Sequence, residues 1–276
     1  MELKPGVVSI WGPRGSMKSS QGASFPPVVK IFDFDLGIQR AWDIEKYIES
    51  GHVEIETMLM PTKSLSTRWA KLEGFKQLWL DFIVKYEMAC QDKNCHTIMM
   101  DTNTINWALI RDGYLEELQD DQVAKGQKDL RKQLIQIEYG EPNQRMRALF
   151  HMAASAGKWL VLVHHETDEY IPLLMVGQPV IDPDTLQPKR TPTGKQVSDG
   201  WRGTEAACDW IFKTGLKEQE REGGGKIMIP YAEVEKSALG IDIVGVRLNL
   251  DVGEVKQTMF QKLEMYLKAI GRINGD

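Results

Sequence analysis

The run Val7-Val8-Ser9-Ile10-Trp11 leads straight into Gly12-Pro13-Arg14-Gly15-Ser16-Met17-Lys18-Ser19-Ser20, and it restricts the fold more than any other stretch. A short, mostly apolar run that ends in a glycine turn is the pattern of a strand buried on both faces, as in a parallel sheet. The residues after the turn can be helical, so the unit reads as strand, turn, helix. Backbone N–H groups of such a turn point at a phosphate. A lysine can then reach the outer phosphate oxygens, and a hydroxyl can hold Mg²⁺. By position those groups are Lys18 and Ser19, with Gly12, Pro13, Arg14, Gly15, Ser16, Met17 and Ser20 completing the cradle. Set against the pattern G-x-x-x-x-G-K-[ST], Gly12 and Lys18-Ser19 keep the spacing, but Met17 stands at the second glycine. A glycine there allows a backbone conformation and a close phosphate approach that a Cβ hinders. The competing structural reading is a plain strand-to-helix turn with a solvated lysine.

Further strand ends sharpen the choice. Val28 to Asp35 reads as a second strand, started by Pro26-Pro27, with Asp33 and Asp35 at its carboxyl end. That is the edge where open α/β sheets bind ligands. Strand alternation puts both aspartates on one face. One of them can orient water or metal beside a terminal phosphate, and Asp35 lies nearer the edge; the alternative is an aspartate capping a helix over 38–49. His52 to Met58 alternates like a short strand. Ser66 to Met88 has apolar residues at helical spacing, and its aromatics read as core. His96 to Asp101 is another short apolar run ending in an acid, which fits a carboxylate associated with Mg²⁺. A helix over 105–118 follows. Lys158 to Val163 is a further buried strand, ending in His164-His165-Glu166. A histidine there can sense a terminal phosphate. Adjacent histidines on a strand face opposite ways, which counts against their sharing one metal ion.

Asp120 to Arg147 is highly polar and reads as helical with an interruption at Gly140-Glu141-Pro142. Residues 168–200 form a loop or hairpin insertion rich in proline, with Lys189, Arg190 and Lys195 near its tip and Arg202 just beyond. Long basic loops can track a nucleic-acid backbone; a surface loop without a ligand is the bland alternative. Ala206 to Leu216 is a helix or a strand. Lys226 to Glu235 and Val244 to Leu250 read as late strands, and 256–276 as a terminal helix and tail. At 276 residues the chain suits a single large α/β domain. A net charge of −5 excludes a global basic footprint, so any DNA contact must be local. Three cysteines, an odd number, fit a reducing cytoplasm better than a disulfide framework. No apolar run approaches a membrane span.

In order, these motifs are Gly-Pro-Arg-Gly-Ser-Met-Lys-Ser-Ser, Phe-Asp-Phe-Asp-Leu-Gly, Ile-Met-Met-Asp-Thr, Leu-Val-His-His-Glu, a long loop, and Val-Glu-Lys-Ser. Over residues 5 to 250 the set resembles the RecA-like P-loop ATPases. It is most similar to the compact phage-encoded nucleotide-binding proteins of single-strand annealing and recombination. The resemblance implies a mostly parallel central sheet flanked by helices, ATP and Mg²⁺ as cofactors, single-stranded DNA as partner, and a homo-oligomer in a host cytoplasm. Single-strand-binding or other replication proteins are further implied partners. It also implies roles: Lys18 and Ser19 on phosphate and Mg²⁺, Asp101 associated with Mg²⁺, and Asp35 activating water where the family usually has glutamate. His165 or His164 would sense the γ-phosphate, and Lys236 would reach an adjacent subunit's nucleotide. Two other classes compete. One is a small-molecule phosphotransferase on the same fold. The other is a non-catalytic nucleotide-binding module, for which Met17 is the best argument.

Overall fold

The computed structural model describes residues 3–41, 43–62, 71–175, 178–181, 189–220, 224–250 and 257–273. Five short strands come first: β1 (Val7–Trp11), β2 (Val29–Asp33), β3 (Val53–Thr57), β4 (Thr97–Asp101) and β5 (Trp159–His164). A ribbon follows, made of β6 (Glu166–Pro172), β7 (Leu174–Met175), β8 (Gln178–Pro179) and β9 (Arg190–Ser198). The last strands are β10 (Trp210–Glu220), β11 (Lys226–Lys236) and β12 (Arg247–Asn249). Eight of them build one sheet in the order β12-β11-β10-β1-β5-β4-β2-β3. From β10 to β3 all pairings are parallel; β11 runs antiparallel between β10 and β12. The fold is therefore α/β, with a mostly parallel sheet flanked by helices.

Every residue of β1, β4 and β5 is buried, which is why these strands read as continuous apolar runs. One face is covered by α1 (Lys18–Gly22), α2 (Ile44–Glu49) and α7 (Met259–Ala269), packed on Val8, Ile10, Ile31, Met99 and Val161. The other carries α3 (Phe75–Gln91), α4 (Asn103–Ala124) and α5 (Gly140–Ser155), over Phe32, Met100, Leu160 and Leu162. The aromatic stripe of α3 is core, as its spacing implies: Phe82 and Tyr86 are fully buried against Phe32. Trp69, in the same stripe, lies outside the described residues. Thr258 caps α7 by accepting from the Gln261 N–H at 3.2 Å. Phe260 meets Phe25 and Trp159, and the Met259 N–H donates to Gln21 Oε1 at 2.9 Å, so α7 clamps α1 onto the sheet.

Several expected boundaries shift for physical reasons. The expected strand 28–35 closes at Asp33. The expected helix 38–49 is a 3-10 turn, Ile38–Arg40, followed by α2, because Asp43 takes φ 62° and breaks the ladder. Gly140-Glu141-Pro142 does not interrupt a helix but starts one. Pro142 sits in the first turn of α5, where a missing N–H costs nothing. The irregular stretch lies earlier, after Ala124. Both readings of 206–216 hold in part: α6 (Thr204–Ala207) runs into β10. Among the described residues of the expected insertion 168–200, β6 pairs antiparallel with β9, with Glu166 opposite Ser198 and Pro172 opposite Arg190, and β7 pairs with β8. Among the described residues no helix is long and apolar enough to cross a membrane.

Candidate functional site

The sheet register brings the carboxyl ends of four strands level. Trp11 of β1 pairs with His164, Val163 with Asp101, and Asp101 with Asp33. The chain leaves β1 toward β2 on one side and leaves β5 toward β10 on the other. This is a switch point, where the diverging connections leave a crevice.

The Gly12–Ser19 turn fills one side of that crevice. Gly12 has φ 144°, and a Cβ there would lie 2.3 Å from the Thr214 carbonyl, so β10 passing alongside demands glycine. Thr214 ties the turn down: its hydroxyl is 2.6 Å from Ser16 Oγ and 3.1 Å from the Trp11 carbonyl. Ser16 Oγ also donates to the Pro13 carbonyl at 2.7 Å. The Lys18 ammonium folds back over the turn, donating to the carbonyls of Gly12 (2.8 Å) and Pro13 (2.7 Å). Burial lowers its pKa, against the pull of Asp101, Glu166 and Asp35. An ammonium resting on carbonyls can be transferred to an anion without uncovering a carboxylate partner.

Met17 occupies φ 65°, ψ 24°, the left-handed conformation. The turn therefore keeps the backbone that a glycine would adopt and places a side chain on it. That conformation costs a non-glycine residue about 1 kcal/mol or more. Met17→Gly is expected to stabilise the fold by about 1 kcal/mol, raising the thermal midpoint by about 2–4 °C. A lowered midpoint would mean that Met17's packing outweighs the strain.

Opposite the turn stand the acids. Asp101, the last residue of β4, is buried and within hydrogen bonding of the Ser19 side chain. Burial pushes its carboxyl up to about 7. Its Oδ1 and Asp33 Oδ2 are buried with no hydrogen-bond partner. Asp33 is raised too, first by burial and then by Asp35. Asp35 is more open and accepts from the Gly37 N–H at 2.8 Å. The His165 imidazole, Nε2 to Oδ2 3.7 Å, holds the Asp35 carboxyl below the usual range. Orphaned buried carboxylate oxygens beside a serine hydroxyl suit a hard, oxygen-seeking cation. Among the described residues no three His, Cys, Asp or Glu side chains are grouped to hold a metal. A Mg²⁺ on Ser19 and Asp101 would complete its shell with phosphate oxygens and water.

The two histidines separate as alternation requires. His165 faces Asp35. His164 points to the opposite face and is fully buried; its Nδ1 lies 2.8 Å from the Asp199 carbonyl, and Nε2 has no partner. Burial lowers its pKa to about 4. Thr104, at the start of α4, donates to that same carbonyl and accepts from the His165 N–H. The ribbon root is thus anchored to β5 and α4.

Other candidates sit elsewhere. Lys189 and Arg190 are exposed at the far end of the ribbon; Lys195 lies nearer the root, and exposed Arg202 follows it. Glu166, Asp168 and Glu169 share the ribbon with these basic residues. Lys236 is not brought to the cluster. It pairs in register with Ile211, level with the middle of β1, and its ammonium donates to the Glu205 carbonyl at 2.7 Å.

A cavity of about 360 Å³ opens beside the turn, lined by Lys18, Ser19 and Ser20 on one side and by Gly37, Arg40 and Ala41 on the other. Sequence reasoning missed Arg40, Thr214 and Thr104. The chain matches no protein-family model and no curated protein.

Proposed function

We propose that this protein is a RecA-like ATPase that binds single-stranded DNA through the β6–β9 ribbon and acts as a homo-oligomer. The observation that supports this most is the convergence of Lys18, Ser19, Asp35, Asp101 and His165 on one edge of a parallel sheet. In this reading Lys18 leaves the Gly12 and Pro13 carbonyls for phosphate oxygens, and the turn's backbone cradles the rest. Ser19 and Asp101 hold Mg²⁺, which when bound neutralises phosphate charge. Asp35 orients the attacking water and accepts its proton. His165 touches Asp35 and begins the chain into the ribbon, so the nucleotide's state is transmitted to the DNA contact. Such coupling is reciprocal: DNA should raise ATP affinity by the factor that ATP raises DNA affinity. Lys236, remote from its own cluster, serves a neighbouring subunit's nucleotide. The primary test is hydrolysis with Mg²⁺, with and without single-stranded DNA, with Lys18→Ala as control. Met17 favours a second reading, a nucleotide-binding module without turnover. Binding without hydrolysis under every DNA condition would select it.

The ribbon has its own test. Replacing Lys189, Arg190 and Lys195 with alanine is expected to weaken single-stranded DNA binding. The slope of log affinity against log salt should flatten by about 2, the loss of three phosphate contacts. An unchanged slope would move the contact off the ribbon.

A further inference from the structure

The cavity beside the turn has two walls, and each carries one cation. Lys18 stands on the first, with Ser19 and Ser20; Arg40 stands on the second, and among the described residues no carboxylate lines the space. Lys18 is engaged by carbonyls of its own turn. Arg40 has no ion pair or side-chain hydrogen bond among the described residues, whereas the nearby Lys30 and Lys46 pair with Glu54 and Asp43, each at 3.2 Å. Its place is set by the strand end that bears the acids. Asp33 and Asp35 both accept from the Gly37 N–H, at 3.3 and 2.8 Å, and the Arg40 N–H donates to the Gly37 carbonyl at 3.1 Å. A guanidinium with no partner among the described residues, sharing the lining of a cavity of this size with two serines and a second cation, is suited to an anion with several oxygens.

We propose that Arg40 is a second cationic ligand for the nucleotide's phosphate chain, gripping it from the wall opposite Lys18 within the same subunit. The proposal rests on the nucleotide-binding reading above and extends it to a residue outside the Gly12–Ser20 motif. Because Arg40 is exposed and has no ion pair or side-chain hydrogen bond among the described residues, its removal should cost affinity without costing fold.

The experiment is calorimetric titration of wild type, Arg40→Ala and Arg40→Lys with MgATP, adenosine and inorganic tripolyphosphate, alongside thermal unfolding. Arg40→Ala should bind MgATP and tripolyphosphate about tenfold to a hundredfold more weakly, the range of a charge-assisted hydrogen bond. Arg40→Lys should fall between, since it keeps the charge and loses the fork. Adenosine binding and the unfolding midpoint should not move. Equal MgATP affinity in wild type and Arg40→Ala would overturn the role of Arg40 and leave Lys18 standing. A loss for MgATP with none for tripolyphosphate would place Arg40 on the base or sugar and overturn phosphate recognition. A wild type that binds neither polyphosphate would overturn both this assignment and the nucleotide-binding reading.

Discussion

Lys18→Ala is expected to remove ATP-dependent turnover, with a fall of about a hundredfold to a thousandfold, the scale seen when one fixed donor to a developing charge is lost. ATP affinity should fall with it, because in the proposed reading the ammonium contacts phosphate in the ground state as well. The fold should survive. Lys18 gives two hydrogen bonds to carbonyls of its own turn, and losing such bonds costs about 0.5–3 kcal/mol each, within the reach of a domain's stability. The turn keeps its other ties, from Ser16 to Thr214 and from Thr214 to Trp11. Circular dichroism and a thermal scan check the fold; a titration with a fluorescent ATP analogue checks affinity. Unchanged affinity would remove the phosphate-binding claim. Hydrolysis that DNA stimulates in wild type and that vanishes in the variant would make the DNA-coupled ATPase the working description.

The parts of this site that could be read from sequence are those where burial and chemistry coincide at a strand end. Asp101 and His164 each close a buried strand, and an apolar run that stops at a polar residue marks both the strand and its edge, whereas the second strand ends at Asp33, two residues before the expected Asp35. Which of two neighbouring polar residues faces the crevice was not legible for the aspartates, since Asp33 and Asp35 both bond to the Gly37 N–H and are told apart by depth and by the His165 contact of Asp35. For the histidines, alternation said that they diverge but not which one meets Asp35; the position of β2 two strands away decides that. Arg40 escaped notice because its partner wall, α1, lies 18 or more residues back along the chain. Pro142 misled because proline breaks helices in their interior but is welcome in a first turn, and only the start of α5 distinguishes the cases. Thr214 is a strand residue like any other until β10 is seen to run past Gly12.

The site also stores unfavourable electrostatics. Asp101 is buried beside two other acids with its Oδ1 unpartnered, and a carboxyl shifted this way by burial and charge is a common mark of a functional site. On the opposite face His164 is buried with one ring nitrogen unpartnered. The two groups respond to acid with opposite signs. A carboxyl raised by burial relieves the fold when it takes a proton, whereas a histidine lowered by burial penalises the fold when the unfolded chain can take one and the folded chain cannot.

Acid should therefore act on this protein through His164 in a way that one substitution isolates. The unfolded chain binds the imidazole proton near a pKa of about 6.5, the folded protein only near about 4. Above the first value both states are neutral and the group has no effect on stability. Between the two the unfolded state holds more proton, so the unfolding free energy falls as pH falls, by about 3 kcal/mol in all. Against a total of about 5–15 kcal/mol for a typical domain that is a large share. His164→Gln keeps a donor for the Asp199 carbonyl and removes the titration. Urea denaturation of both chains at steps from pH 7.5 to 4 measures the difference, in which carboxylates common to both cancel. Wild type is expected to lose about 3 kcal/mol relative to His164→Gln across that range. Because His164, Asp199 and Thr104 together anchor the ribbon root, the same acid range should weaken single-stranded DNA binding in wild type more than in the variant. Parallel stability curves would show that the His164 imidazole takes its proton in the folded state, and that this anchor is open to water.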